Sequence, residues 1–262
     1  MSRRLYCGPY CGEFGFELCV WNPLARKAAE DYDEVIVEGP PSSEYLYEFA
    51  TTYIPNPTVP NNSDGMMGKL QCEPFTTTGY DVFSPDWRSQ GAPEMEKLKT
   101  KHVPNPLKAW RDLSAKPSFV ADILFAFRPV KRLREHIFVD KAYPFDQCCA
   151  LVELLSRDRI VACIGGDENY HIPGTLDFRG RNLRALCSAM AAASLVVGPS
   201  SGPMHLASLC KTPHVVWYSQ GGNSRSKAMY DEHWNPFATP HTYLLEQPPS
   251  PRSVAEAAEA YL

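Results

Sequence analysis

The chain has 262 residues, 44% of them hydrophobic and 21% charged, with a formal net charge of −4. These are the proportions of a soluble globular protein, long enough for one large domain or two of roughly 100–150 residues each. There is no run of about 18 uncharged apolar residues, so no membrane span is expected, and the opening stretch MSRRLYCGPYCGEFGFE lacks the apolar core of a secretory signal.

The first strand expected is Arg4–Cys7, followed by the loop GPYCGEFG. From Phe16 to about Asp31 the apolar residues Leu18, Trp21, Leu24, Ala25, Ala28 and Ala29 recur at helical spacing. Asn22-Pro23 is expected to kink or restart that helix, because proline suits a first helical turn. Glu34–Val37 reads as a second strand. A helix over SEYLYEFATTY is expected next, capped by Ser42 or Ser43. Strand, loop, helix, strand, helix is the beginning of a parallel α/β layer.

Regularity fades between Ile54 and Pro106, where there are eight prolines and little periodicity. Asp81–Phe83 and Met95–Lys99 are candidate short elements within it. Lys97 to Arg134 holds ten basic residues against Asp112 and Asp122, so the segment is +8 and the rest of the chain −12. Such a patch is either a solvated face or an attraction for a polyanion or a diphosphate.

Alternation of strands and helices resumes with Ile123–Phe127, a strand ending at Arg128. A helix is expected over Phe145–Leu155, then a strand over Ile160–Ile164 that ends in Gly165-Gly166-Asp167. Further on, Leu183–Ala193 reads as a helix, Leu195–Val197 as a strand, Met204–Cys210 as a helix and His214–Tyr218 as a strand. At the end, Ser250 reads as an N-cap and Pro251 as the first position of a terminal helix. The fold class expected is α/β, with two Rossmann-like halves at about 1–115 and 116–262, the second finishing in a closing helix. Ligands of open α/β sheets bind beyond the carboxyl ends of the strands, and two such sheets facing each other would form a cleft.

Most of the nine cysteines sit in apolar runs and read as small buried residues. Cys7 and Cys11 are the one pair with spacing that suggests a metal ligand, and no second pair accompanies them. A reducing cytoplasm is the simplest compartment, and no metal or other cofactor is expected.

The stretch VVGPSSGPMHLASL, Val196–Leu209, carries the strongest chemical signal. It joins the carboxyl end of a strand to the start of a helix. The first N–H groups of a helix are unpaired and partly positive, so they attract phosphate. Ser200, Ser201 and Gly202 permit close approach, Pro203 suits the first turn, and His205 can donate to a phosphate oxygen. The plain alternative is a tight turn with a capping serine.

The segment Phe178–Tyr218 resembles the C-terminal domain of glycosyltransferase family 9, the ADP-heptose:lipopolysaccharide heptosyltransferases. The family's parts appear in order: Gly180, Leu183 and Leu186, Ser194–Gly198, then Pro199-Ser200-Ser201-Gly202-Pro203-Met204-His205-Leu206-Ala207, then Thr212-Pro213. WNPFATPHTYL resembles the family's loop after the following strand. One residue departs from the pattern, because the family's Asp in D-S-G is Ser200 here, which removes a carboxylate contact to the donor.

The resemblance implies a GT-B fold and a nucleotide-diphosphate-sugar donor held mainly by the C-terminal half, with transfer that needs no metal. Ser200, Ser201, Gly202 and His205 would stabilise the diphosphate. Arg128 and Lys131, in FRPVKR, match a basic position of the family and would neutralise the leaving group. Gly165, Gly166 and Glu168 are placed to border the nucleotide, with a carboxylate for the ribose hydroxyls. In the family, the first strand ends in a Gly-Asp loop with the presumed base, and Gly12-Glu13 occupies that place. Glu13 is therefore the candidate base for the acceptor hydroxyl, and Glu17 an alternative or a partner to the acceptor. Both acids also suit a helix start. Asp31-Tyr32-Asp33 spells the D-x-D of another glycosyltransferase class, but precedes a strand, on the wrong side of a parallel sheet.

The function expected is inverting transfer of a sugar to an acceptor hydroxyl on a glycan or on a hydroxymethylated base in DNA. The +8 segment favours DNA, and a pI of about 6.0 weighs against it. A nucleotide- or glycan-binding module without catalysis, and a sugar-nucleotide epimerase of GT-B fold, are the alternatives.

Overall fold

The structure, a computed structural model, describes residues 2–10, 14–41, 43–56, 78–83, 121–127, 131–133, 136–138, 143–167, 170–217, 227–246 and 248–262; for 131–133 and 136–138 it describes the backbone. The chain divides into two compact units, Met1–Ala109 and Trp110–Leu262.

The first unit is built on four parallel strands: β1 (Arg4–Cys7), β2 (Glu34–Gly39), β3 (Thr52–Pro55) and β4 (Asp81–Phe83), in the order β3-β2-β1-β4. β1 aligns Leu5 with Val35, Tyr6 with Ile36 and Cys7 with Val37. All six residues are buried, so the two central strands read as unbroken apolar runs. Burial also pushes the Cys7 thiol up to about 12.

The helical run after β1 restarts at the proline. Phe14–Phe16 is α-helical, Glu17–Trp21 is a π-helical turn, and Asn22–Ala29 is α-helical with Pro23 in its first turn. Pro23 has no N–H to return to the preceding turn. The wider turn absorbs the gap, and the Asn22 N–H reaches back to the Glu17 carbonyl. Leu18, Trp21 and Ala25 are buried, as their spacing requires.

The helix expected over SEYLYEFATTY does not form. Glu44–Leu46 is a single 3₁₀ turn, and Thr52–Pro55 is strand β3, paired with Ile36–Gly39. Side chains override the local helical pattern here. Tyr47 stacks on Tyr53 with ring centroids 5.4 Å apart, and Thr51 Oγ1 accepts the β2 N–H of Val35 at 3.0 Å. Aromatic and β-branched residues suit a strand edge. Asp81–Phe83 is the short element anticipated there, whereas Met95–Lys99 lies outside the described residues.

The second unit carries six parallel strands: β5 (Ile123–Ala126), β8 (Val161–Ile164), β9 (Leu176–Asp177), β10 (Leu195–Pro199), β11 (His214–Trp217) and β12 (His241–Leu244). A separate antiparallel pair, β6 (Lys131–Leu133) and β7 (His136–Phe138), lies between β5 and β8 in the chain. The sheet order is β12-β11-β10-β5-β8-β9. Within the sheet this is the Rossmann order, with β5 first in sequence and the reversal point between β5 and β10. β9 and β12 escaped the sequence reading. β9 has two residues, both exposed, and β12 falls inside the stretch read as a loop.

The core is a sandwich of strand and helix. Ile123, Phe125, Leu195, Val197 and Val215 pack with Leu151, Val152 and Leu155 of the helix Phe145–Leu155 and with Val254 and Ala258 of the terminal helix. Those two helices carry their expected signals. The terminal helix, Pro251–Ala258, begins at Ser250, whose hydroxyl accepts from the Ser253 N–H at 3.0 Å. The helix Leu183–Ala192 is capped in the same way, Asn182 Oδ1 accepting from Ala185 at 2.9 Å.

Gly198, in the middle of β10, has no room for a side chain. A Cβ there would lie 2.8 Å from the Ala126 Cβ, 2.9 Å from the Ala126 carbonyl oxygen and 3.1 Å from the Met204 sulfur. Two of those atoms belong to the adjacent strand β5 and cannot swing away. Gly198→Ala is expected to destabilise the protein by about 1–3 kcal/mol, the usual cost of overpacking, seen as a lowered melting temperature in calorimetry.

Candidate functional site

The reversal point of the second sheet is where an open α/β sheet leaves a crevice for ligands, and Gly198–His205 lies at it. β10 ends at Pro199, Ser201 is extended at φ −155°, and the helix Gly202–Leu209 begins with Pro203 in its first turn. Ser201 does not cap this helix. Its hydroxyl donates back to the Pro199 carbonyl at 2.9 Å, so the first turn is left without a side-chain acceptor. Ser200 is fully buried; its N–H donates to the Trp217 carbonyl at 2.7 Å, and its hydroxyl has no hydrogen-bond partner among the described residues. A buried hydroxyl without a partner is unfavourable by about 1–3 kcal/mol, and at a helix start it is a ready donor to an anion.

His205 stands one turn into the helix, 2% exposed, with its ring stacked on Trp234 at 4.3 Å between centroids. Trp234 belongs to a second π-helical turn, Tyr230–Trp234. That turn is held by a polar knot. Tyr230 pairs with His214 Nε2 at 2.9 Å, Asp231 with His241 at 2.9 Å, and Asn235 Oδ1 accepts from Ser208 at 2.7 Å. His214 Nδ1 lies 3.1 Å from the Thr212 carbonyl, an acceptor, so it carries the proton and Nε2 accepts from Tyr230. Burial pushes His214 down to about 4, which keeps it neutral and the knot intact.

Of the other donor-side candidates, Gly165 follows β8 directly with φ +135°, a conformation that favours glycine. Its carbonyl accepts from the Gly180 N–H at 2.9 Å. Gly166 is half-buried beside it, and Asp167 is exposed. Ser200, Ser201, Gly202, Gly165 and Gly166 thus all follow the carboxyl ends of strands of one sheet. The Lys131 backbone is in β6, and Arg128 and Glu168 lie outside the described residues.

In the first unit Glu13 and Cys11 lie outside the described residues, and Glu17 opens the π turn. Glu17 is completely buried and accepts from the Tyr47 hydroxyl at 3.1 Å. Its other oxygen and the Ser43 hydroxyl hold no hydrogen bond of good geometry, although Ser43 is near enough to pull the pKa down. Desolvation outweighs both hydroxyls and pushes Glu17 up to about 7. A second buried carboxylate, Glu38 at the end of β2, escaped the sequence reading. It accepts from the Tyr6 hydroxyl and the Asn56 amide, and the Gly8 backbone lies against it so closely that a Cβ would come within 2.7 Å of the Glu38 carbonyl. The signal was present in EVIVEGP, an acid at the carboxyl end of an apolar strand. Asp33 of the D-x-D sequence accepts from the Arg3 backbone at 2.9 Å, at the amino end of the sheet.

A Rossmann-ordered sheet with an uncapped helix start at its reversal point is the arrangement in which open α/β folds leave a crevice for a ligand. No protein-family model matches the sequence, and no curated protein matches it significantly. Solved structures match along almost the whole chain. The family 9 glycosyltransferase from Veillonella parvula DSM 2008 is 13% identical, with a TM-score of 0.58 over 99% of this chain and 97% of its own. The E. coli ADP-heptose lipopolysaccharide heptosyltransferase II is 15% identical, with a TM-score of 0.58 over 99% and 98%. E. coli heptosyltransferase WaaC, solved with ADP, is 12% identical, with a TM-score of 0.53 over 99% and 96%. The chain has the fold of these glycosyltransferases, an α/β fold of the GT-B type. No helix among the described residues is long and apolar enough to cross a membrane.

The burial of Glu17 gives a measurable pH effect. Its folded pKa lies above its unfolded value of 4.5, so its contribution to stability is full below about 4.5 and is lost as pH rises through about 7. Glu17→Gln removes that dependence. Relative to wild type, the variant is expected to gain about 3 kcal/mol between pH 4.5 and about pH 8, read from urea melts at both values.

Proposed function

We propose that the chain is a glycosyltransferase that moves a sugar from a nucleotide-diphosphate donor to an acceptor hydroxyl. The observation that carries this reading is the turn from Gly198 to His205, with its buried unpaired Ser200 hydroxyl and its uncapped helix start at the reversal point of a Rossmann sheet. The shared fold supports it, because the solved relatives include a heptosyltransferase bound to ADP.

In this reading the donor diphosphate sits over the Gly202 helix start and takes hydrogen bonds from Ser200, Ser201, the Gly202 N–H and His205. Arg128 and Lys131 add positive charge. Glu13 takes the proton of the acceptor hydroxyl, and the acceptor oxygen attacks the anomeric carbon from the face opposite the diphosphate. The bond from that carbon to the diphosphate oxygen breaks, the nucleoside diphosphate leaves, and the configuration inverts. The helix start and the basic pair stabilise the charge that develops on the leaving group, so the reaction proceeds without a metal. Glu17, completely buried, with its pKa pushed up by desolvation and its carboxylate bonded to the Tyr47 hydroxyl, suits a structural role and leaves the base role to Glu13. The acceptor hydroxyl is carried by a glycan or by a hydroxymethylated base in DNA.

The test joins binding to turnover. ADP, UDP, CDP and GDP are screened by thermal shift, where a nucleotide at 100-fold its Kd adds about 2.7 kcal/mol. One of them is expected to stabilise wild type and Glu13→Gln alike, and Ser200→Ala is expected to bind it roughly tenfold more weakly, as suits a lost hydrogen bond to a charged group. The matching nucleotide sugar, with a glycan acceptor, is then consumed by wild type and not by Glu13→Gln. Binding without turnover would favour a binding module, epimerised donor in the absence of an acceptor would favour an epimerase, and no stabilisation by any nucleotide would reduce the Gly198–His205 segment to a turn.

A further inference from the structure

We propose that Phe145 and Tyr170 form a stacking platform for the nucleobase of the donor. The inference deepens the glycosyltransferase reading and rests on it for the class of ligand. Both rings are large and exposed, Phe145 at 46% and Tyr170 at 67%, and they meet edge to face with centroids 6.2 Å apart and planes at 72°. One exposed aromatic residue is ordinary. Two rings in edge-to-face contact and turned to water, at a binding edge, offer a flat ligand the face of the more exposed one, Tyr170, braced by Phe145.

Their place in the fold fixes which part of the donor they meet. Phe145 is the first residue of the helix Phe145–Leu155. Tyr170 lies in the connection from β8 to β9, five residues after Gly165. That connection runs back along the same helix. Ile172 is fully buried in the core with Leu151 and Val152, and a Cβ on Gly174 would lie 3.5 Å from Val152. Tyr170 and Phe145 therefore mark the carboxyl end of this pairing, on the same sheet edge as the Ser200 turn.

β8 is the second strand of the Rossmann order, and an acid just beyond that strand is placed for a ribose diol. Asp167, exposed, stands there, three residues before Tyr170. A diphosphate over the Gly202 helix start and a ribose at Asp167 direct the base outward, toward β9 and the aromatic pair. β10 and β8 are separated by two strand spacings, roughly 10 Å, a span that a nucleoside diphosphate bridges. Stacking on an aromatic face accepts any base, and a purine offers the larger surface.

The experiment is calorimetric titration of the full chain with ADP, UDP and inorganic pyrophosphate. Tyr170→Ala is expected to weaken ADP binding about tenfold and UDP binding less, with pyrophosphate binding and melting temperature as in wild type. Tyr170→Phe is expected to retain ADP affinity, and Tyr170→Trp to acquire a fluorescence that ADP quenches beyond the wild-type change. If ADP binds Tyr170→Ala as tightly as wild type, or fails to quench the added tryptophan, the platform is overturned and the donor reading stands. If pyrophosphate weakens in parallel with ADP, the residue is structural and the platform is again overturned. If wild type binds neither ADP nor UDP, the donor reading itself falls, and the platform with it.

Discussion

The close approach of β5 and β10 at Gly198 is the constraint on which the second unit depends. These strands lie side by side at the point where the sheet order reverses. The Ala126 carbonyl and side chain fill the space that a side chain at 198 would take, and Met204 closes it from the following helix. The helix that follows can therefore pack closely against β10 and β11. A bulkier residue would lift the turn and separate the Ser200 hydroxyl from the helix N–H groups beside it. Packing in the core thus sets the geometry of a polar site, because interiors packed to crystal density transmit displacement and do not absorb it.

The π-helical turns solve a related problem in the two units. A helix that must change the phase of its faces can insert one residue, and such insertions cluster at sites with work to do. In the first unit the inserted turn places Glu17, Leu18, Cys19, Val20 and Trp21 all in the interior. In the second, Tyr230 and Trp234 turn inward, where Trp234 covers His205 and Tyr230 meets His214. Asn235, Thr239 and Ser208 satisfy one another beneath it, and neutral His214 is held between the Thr212 carbonyl and the Tyr230 hydroxyl. A network closed in this way adds rigidity without leaving a charge buried, and it anchors the helix whose first turn faces outward.

Much of this was legible in the sequence wherever local chemistry and tertiary packing agree. Ser250 before Pro251, Pro203 after two serines, and the apolar spacing from Cys148 to Leu155 each name their element, and each element is there. The SEYLYEFATTY segment failed for a physical reason. Its apolar spacing fits a helix, but Tyr47 and Tyr53 stack on each other and Thr52–Pro55 pairs with β2, so the backbone hydrogen bonds go to the sheet. β9 and β12 were hidden by position. They are edge strands, short and partly exposed, so they lack the apolar run by which buried strands are recognised. The partners of Glu17 and His205 were beyond reach for another reason: Tyr47 lies 30 residues from Glu17 in sequence, Trp234 lies 29 from His205, and no local pattern joins them.

The carboxyl end of the second sheet treats its polar groups differently from the other sheet ends, and this contrast supports a functional site there. At the amino ends the groups are paired off. Asp33 takes the Arg3 N–H, Asp122 takes the Ile160 N–H at 2.7 Å, and Arg4 is bonded to Glu34 at 2.7 Å. At the carboxyl end of the first sheet Glu38 is paired as well, with Tyr6 and Asn56, but at the carboxyl end of the second sheet two groups are not. The Ser200 hydroxyl after β10 and the Trp217 indole N–H at the end of β11 are both buried and both without a partner among the described residues. A fold selected for stability alone would pair or replace them, since each is unfavourable by about 1–3 kcal/mol. Destabilising features of this kind persist where a bound ligand removes the penalty. At 12–15% identity to the solved heptosyltransferases, the architecture is common property, and the chemistry particular to this chain has to be sought in these unsatisfied groups at the carboxyl edge.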